Sequence, residues 1–365
     1  MTCLKQERRG VGDFHMIRTI SVGNFRCYKS LLLDGLSRLN VIVGDNGSGK
    51  TALLEALFMT LATSTEVGLR LRQQRGLDSS FAGPIRRVEQ AIWGDYFYNS
   101  DWTNAIRIVL SGDGPEARTL EITKGTPEAK LPLAPGDLSQ LVASAPVTFT
   151  WTDAEGQPHS VTPTISSAGG LTLPETGEDM QRFYYISAGT PIGSVESASR
   201  FSDLSKVNRH QQFVDLFTRE YNWIENLDVE VLAGSPAIFA TIKGSGRKMP
   251  LANVSAGMSR LMAIMLSISA QRRTVVLVDE IENGIFHTHL TPMWRAILLL
   301  LEEYESQLFV STHSQECIKA LGKAVANKTQ LVTLLRTEKD LEGSRIASFP
   351  GKTFMAGVKY GEEVR

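Results

Sequence analysis

The sequence is poor in three things, and each shortage closes off a class of protein. Cysteine is scarce: Cys3, Cys27 and Cys317 are the only three in 365 residues, odd in number and far apart. That spacing suits neither a disulfide framework nor a zinc ribbon, and it points to a reducing compartment, the cytoplasm. A surplus of charge is lacking, since 38 basic residues stand against 39 acidic ones for a net charge of −1. The molecule therefore has no long-range cationic field, and contact with nucleic acid has to come from a local patch or a partner. Long apolar runs are missing too. The run Leu298–Leu301 is closed by Glu302 and Glu303, and no apolar stretch of signal-peptide type follows Lys5, Arg8 and Arg9. A soluble cytoplasmic protein with no membrane partner is expected. Heptads, internal repeats and low-complexity tails are not found.

What is present is an ordinary globular composition, 42% hydrophobic and 21% charged, with enough apolar material for a substantial core. The order of patterns predicts one head over residues 16–365 behind a polar, flexible leader at 1–15. Residues 16–104 and 250–340 read as its core. Strand-like alternation runs from Ile17 to Val43, and a helix from about Lys50 to Ala62 carries Leu53, Leu54, Leu57, Phe58 and Leu61 on one stripe. In the last third, helices alternate with strands at 274–278, 307–311 and 330–335. That alternation predicts an α/β fold with a largely parallel central sheet. Residues 105–180, rich in Gly, Pro, Ser and Thr, read as an inserted antiparallel β region, and 199–249 as a helical lid with returning strands.

The chemistry is concentrated at strand ends. Gly44-Asp45-Asn46-Gly47-Ser48-Gly49-Lys50-Thr51 fits G-x-x-x-x-G-K-[ST] between a buried strand and a helix. Glycines let the backbone of Asn46, Gly47, Ser48 and Gly49 curl so that N–H groups face phosphate oxygens, and the helix N-terminus adds positive potential. Lys50 would reach the β- and γ-phosphates of ATP, and the Thr51 hydroxyl would bind Mg²⁺. The apolar strand Val275–Val278 ends in Asp279 and Glu280. Asp279 would hold the same Mg²⁺, and Glu280 would polarise the attacking water. His313 stands just past the strand ending at Ser311, in place to hydrogen-bond the γ-phosphate or that water. His15, His159, His210, His287 and His289 take the structural reading. Ser255, at the start of an apolar helix, caps free N–H groups. With the Gly257 backbone it also makes an anion cradle, and one that cannot easily face its own phosphate loop implies a second subunit.

This order of elements resembles the ATP-binding-cassette (ABC) ATPases, in the branch of the RecF and SMC heads, and most closely the overcoming-lysogenization-defect (OLD) type ATPases of bacterial phage defence. The resemblance rests on Asn24-Phe25-Arg26, GDNGSGKT, PLANVSAGMSRL (Pro250 to Leu261), VLVDEIENGI (Val276 to Ile285) and STHS (Ser311 to Ser314). It implies two heads that sandwich two ATPs, each phosphate loop facing the partner's Ser255 and Gly257. It further implies a phosphate-contacting Arg26, Asn283 in a dimer-facing D-loop, and His313 as switch histidine. There are departures. The signature is SAGMS where transporters have LSGGQ, no glutamine can be placed as a Q-loop beyond Gln181, and Phe286 stands where many relatives have histidine.

The combined reading is a Mg²⁺-dependent ATPase that forms a homodimer on ATP, with room for higher assembly, and acts as a switch on a separate nuclease or toxin effector in anti-phage defence. The first rival is a RecF-like repair clamp that binds DNA in an ATP-dependent way. The second is a P-loop small-molecule kinase, which needs neither the Ser255 element nor a dimer. Two softer signals read as structural: Arg70, Arg72, Arg75, Arg86 and Arg87 as a solvated helix face rather than a nucleic-acid patch, and the aromatics from Trp93 to Trp102 as core packing rather than a base-stacking platform.

Overall fold

The computed structural model describes residues 16–75, 85–113, 117–125, 128–129, 143–144, 147–165, 171–172, 182–189, 193–325, 327–341 and 343–360. The leader at 1–15, Gln181 and much of 126–181 lie outside them, as do the side chains of Arg86 and Arg87.

Two sheets carry the fold. The first is antiparallel throughout and contains β1 (Ile17–Phe25), β2 (Tyr28–Leu33), β4 (Ile106–Gly112), β5 (Ala117–Lys124), β6 (Val147–Thr152) and β7 (Pro158–Val161), in the order β2-β1-β4-β5-β6-β7. Within 105–180, β4 to β7 thus continue the sheet that β1 opens, with Val22 opposite Ile108, while the short pairs Glu128–Ala129 with Ala143–Ser144 and Thr164–Ile165 with Leu171–Thr172 stand apart from it. The second sheet contains β3 (Leu39–Gly44), β8 (Phe183–Ile186), β12 (Val275–Val278), β13 (Gln307–Ser311), β14 (Val332–Asp340) and β15 (Gly343–Pro350), in the order β8-β12-β13-β3-β14-β15. It is parallel up to β14, and the β14–β15 hairpin adds an antiparallel edge. Between β8 and β12 in the chain, β9 (Ile224–Leu232), β10 (Ser235–Ile242) and β11 (Lys248–Pro250) form a small meander.

Both faces of the parallel sheet are covered, which is why its strands are continuous apolar runs rather than alternating ones. Along β12, Val276 and Val278 join one core, packed by the helices α4 (Ser194–Lys206), α5 (His210–Glu220), α7 (Ala256–Ser269), α8 (Leu290–Glu303) and α9 (Gln315–Val325). Val275 and Leu277 join the other, which the antiparallel sheet closes. Helix α1 (Lys50–Leu61) runs between the two sheets. The single apolar stripe expected for it is therefore not what the structure shows: Ala52, Ala56 and Met59 are as buried as the leucines, because sheet or helix lies on every side. Short helices α2 (Glu66–Gln74) and α3 (Ile85–Trp93) follow, and α6 (Leu251–Val254) and α10 (Gly351–Tyr360) complete the set named here. Trp93, Tyr96 and Phe97 are each 2% exposed and pack in the second core, so these rings are structural. Among the described residues no helix is long and apolar enough to cross a membrane.

Register fixes the site. Val278 lies opposite Val310, and Ser311 opposite Ile42, so β12, β13 and β3 all end at one edge of the sheet. Ligands of open α/β sheets bind at that carboxyl edge.

Candidate active site

The loop from Gly44 to Lys50 leaves β3 and turns into α1. Gly44 and Gly49 have positive φ (139° and 114°), and a side chain at either would collide: a Cβ on Gly44 would lie 2.3 Å from Thr337 Oγ1, and one on Gly49 2.6 Å from the Tyr28 hydroxyl. Glycine is required there by conformation and by space together. Gly49 is the N-cap of α1 and offers no side chain to the first-turn N–H groups, which are left for an anion. Lys50 folds back over the loop and its Nζ donates to the carbonyls of Gly44 (2.8 Å) and Asp45 (2.9 Å). Burial lowers its pKa from the ordinary lysine value, against the pull of Asp279 and Glu280. Ser48 turns inward, 2.5 Å from the Thr337 hydroxyl and 2.7 Å from the Asp45 carbonyl, so its hydroxyl fixes the loop.

Across the sheet edge, the Thr51 hydroxyl lies 3.2 and 3.1 Å from the two oxygens of Asp279. The Ser311 hydroxyl donates to Asp279 Oδ1 at 2.5 Å and accepts from the Glu280 N–H at 2.8 Å. Glu280 itself has φ 51°, a left-handed conformation that costs a non-glycine residue on the order of 1 kcal/mol and recurs at functional sites. Asn283 Nδ2 donates to Glu280 Oε2 at 2.8 Å, and His313 Nδ1 stands 3.9 Å from Glu280 Oε1 and 3.4 Å from Glu282 Oε1. Beneath this edge the buried guanidinium of Arg260 donates to the carbonyls of Ser187 (3.0 Å) and Asp279 (2.6 Å). It ties α7 to the strand end that presents both acids.

These groups border a cleft of about 640 Å³, within the range of small-molecule sites. Asn46, Gly47, Gly49, Lys50 and Thr51 form one end and Asp279 and Glu280 one side. Arg26, Arg75, Tyr98 and the tip of the β14–β15 hairpin, Lys339 to Leu341, border it as well. That hairpin is pinned by the Ser344 N–H, which donates to the Cys27 carbonyl at 2.9 Å.

Ser255, Gly257, Asn283 and His313 do not border the cleft. Ser255 caps α7, accepting from Met258 N at 3.4 Å. A Cβ on Gly257 would fall 1.8 Å from the Gly284 carbonyl oxygen, so the start of α7 and the turn after Asn283 are packed backbone to backbone. The structure thus gathers Arg26, the phosphate loop, Asp279 and Glu280 in one cleft, sets His313 and Asn283 against Glu280, and leaves Ser255 and Gly257 apart.

The hard-oxygen pair of Thr51 hydroxyl and Asp279 carboxylate is a donor set suited to Mg²⁺, which takes few protein ligands and completes its shell with water and phosphate. Five residues that sequence reasoning left without a role belong to the site: Glu55, Arg75, Arg260, Ser311 and Thr337. Two carried a signal, a charge inside an apolar run, in LLEALF for Glu55 and SRLMAIM for Arg260.

Comparison with known proteins bears on the fold and the activity. Residues 177–318 match the family described as "AAA domain, putative AbiEii toxin, Type IV TA system", and residues 16–90 match the AAA ATPase domain family. The ATP/GTP phosphatase of Helicobacter pylori is 22% identical over 340 residues, 86% of this chain and 89% of that protein. The DNA replication and repair protein RecF of Lachnoclostridium phytofermentans is 34% identical over 75 residues, 20% of this chain and 21% of its own length. The crystal structure of an SMC head bound to the C-winged helix domain of ScpA shares the fold at a TM-score of 0.51 and 13% identity, over 92% of this chain and 98% of that one. Motifs, fold and matches together support an ATPase of the ABC type, similar to the RecF and SMC proteins.

Proposed function

We propose that the protein is an ATP-driven switch: two copies close on two ATPs, and the closed state acts on an effector. The observation that carries this reading is the composition of the cleft. It holds Lys50, Thr51, Asp279 and Glu280 but neither Ser255 nor Gly257, which supports a cage around the terminal phosphate that a second copy completes. Lys50 and the loop N–H groups bind the β- and γ-phosphates, and Arg26, which borders the same cleft, contacts phosphate too. Thr51 and Asp279 would hold Mg²⁺, which when bound neutralises phosphate charge. Glu280 orients the water that attacks the γ-phosphorus, held at its other oxygen by Asn283, with His313 beside it. Ser255 and Gly257 of the second copy supply N–H and O–H donors to the γ-phosphate, and Asn283 faces the dimer seam.

The toxin-system description of the family matched at 177–318 and the phage-defence type that the motifs resemble support a nuclease or toxin as the effector, in the cytoplasm. The experiment is size-exclusion chromatography with light scattering on the Glu280→Gln protein, with and without Mg²⁺-ATP. A dimer formed only with ATP is expected; a monomer at saturating ATP would contradict the switch.

A second reading, an ATP-dependent DNA clamp, is favoured by the RecF similarity. Filter binding of the isolated protein separates the two. DNA retained only with ATP supports the clamp, and none retained supports the effector switch.

A further inference from the structure

Glu282 lies two residues past Glu280, in the turn that leads through Asn283. The chemistry described above uses Asp279 and Glu280 and leaves this third acid without a task. The turn is closed by main-chain bonds, from Asn283 N–H to the Glu280 carbonyl at 3.1 Å and from Ile285 N–H to the Glu282 carbonyl at 2.9 Å. A further bond, from Ile281 N–H to the Ser311 carbonyl at 3.1 Å, ties it to the end of β13, just before His313. The Glu282 side chain is 11% exposed, whereas the imidazole of His313 is half exposed.

One oxygen of this carboxylate meets His313 twice. Oε1 accepts the His313 backbone N–H at 3.1 Å, and the ring Nδ1 stands 3.4 Å from the same oxygen. Glu280 Oε1 is farther from Nδ1, at 3.9 Å, and the other oxygen of Glu280 is taken by Asn283. Asp279 is engaged by Thr51 and Ser311. Of the two acids at the ring, Glu282 is therefore the nearer and the more buried. Its second oxygen, Oε2, is buried with no hydrogen-bond partner among the described residues, and a half-satisfied buried carboxylate costs stability. A neutral acceptor would cap a backbone N–H without that cost, so capping alone gives no reason for a charge here. An acid does one thing more: it keeps a proton on the ring nitrogen that faces it, and so fixes which nitrogen is left free.

We infer that Glu282 is the positioning carboxylate of His313: it holds the proton on Nδ1 and fixes the ring, so that Nε2 is the nitrogen available to the reaction. Glu282 does not border the cleft and acts only through the histidine. This rests on the nucleotide reading above and adds to it the residue by which the histidine is held.

The test is steady-state ATP hydrolysis with Mg²⁺ by the wild type, Glu282→Ala, Glu282→Gln, His313→Ala and the double alanine variant, with thermal midpoints recorded alongside. Glu282→Ala is expected to lower kcat by about tenfold and to leave KM within about twofold, since the residue acts on the reacting geometry and not on nucleotide binding. Glu282→Gln keeps an oxygen for the His313 N–H and should hold the wild-type midpoint. It loses the charge that sets the ring proton, and should lower kcat by about tenfold as well. His313→Ala should cost at least as much as Glu282→Ala, and the double variant no more than His313→Ala, because a residue that acts through another has nothing left to lose. Losses that multiply in the double variant would overturn the proposal. So would full turnover by His313→Ala, or a wild-type kcat in Glu282→Gln beside a lowered midpoint in Glu282→Ala, the mark of a backbone staple. Lys50→Ala serves as the reference. If the wild type turns over ATP and Lys50→Ala does not, the nucleotide reading stands whatever Glu282 does. If the wild type hydrolyses no ATP, that reading falls and the assignment falls with it.

Discussion

The phosphate-loop side of the head and its signature side differ in how their polar groups are satisfied. On the first, one chain of contacts runs from Thr51 through Asp279 and Ser311 to Glu280 and Asn283, and buried Arg260 anchors the strand end beneath it. On the second, the Ser255 hydroxyl makes a single 3.4 Å cap contact and Gly257 offers only backbone, pressed on Gly284. The contrast teaches that one side is preorganised by side-chain contacts within the chain, whereas the other is held by backbone packed on backbone and a single cap contact. Preorganised donors are the usual source of large catalytic effects, so mutations on the two sides should differ in kind.

The largest effect is expected on the preorganised side. Lys50→Ala removes the lysine at the loop end of the cleft and should lower ATP hydrolysis by about a hundredfold or more, measured as phosphate release at saturating protein. Near-normal turnover would mean that the loop does not hold the reacting phosphates. A smaller but measurable effect belongs to the signature side. Gly257→Ala drives a methyl into the Gly284 carbonyl and should cost about 1–3 kcal/mol of stability, read as a lower thermal midpoint. An unchanged midpoint would show that the two segments are not packed as described, and the comparison would lose its second half. The smallest effect serves as a control outside both sides. Arg70 and Glu66 form an exposed i,i+4 pair, so Arg70→Ala should leave both thermal midpoint and turnover unaltered.

The legible part of this molecule is the part written in contiguous residues. Lys50, Thr51, Asp279 and Glu280 follow from two short motifs, and the parallel sheet follows from apolar runs such as Val275–Val278, whose neighbours alternate between two cores. The all-round burial of α1 was not legible. An apolar stripe is the mark of a helix with one covered face, and the sequence cannot show that a second sheet lies across the other. Arg75 read as part of a solvated helix face because its partner, Glu55, lies in a different helix; only the fold brings the two within 2.8 Å. Ser311 and Thr337 are equally silent, since a hydroxyl carries no sign of which loop it will hold. The C-terminal hairpin completes the cleft wall through Lys339 to Leu341, residues that match no phosphate or metal pattern.

The most direct test of the shared cage is complementation between two inactive proteins. Lys50→Ala spoils the loop of every site it enters, and Ser255→Arg blocks the signature it lends to a partner. Mixed in equal amounts, they should form heterodimers with one intact site, and turnover should rise from near zero to about a quarter of the wild-type rate. A mixture as inactive as its components, or a Ser255→Arg protein fully active by itself, would contradict an ATP site built from two chains.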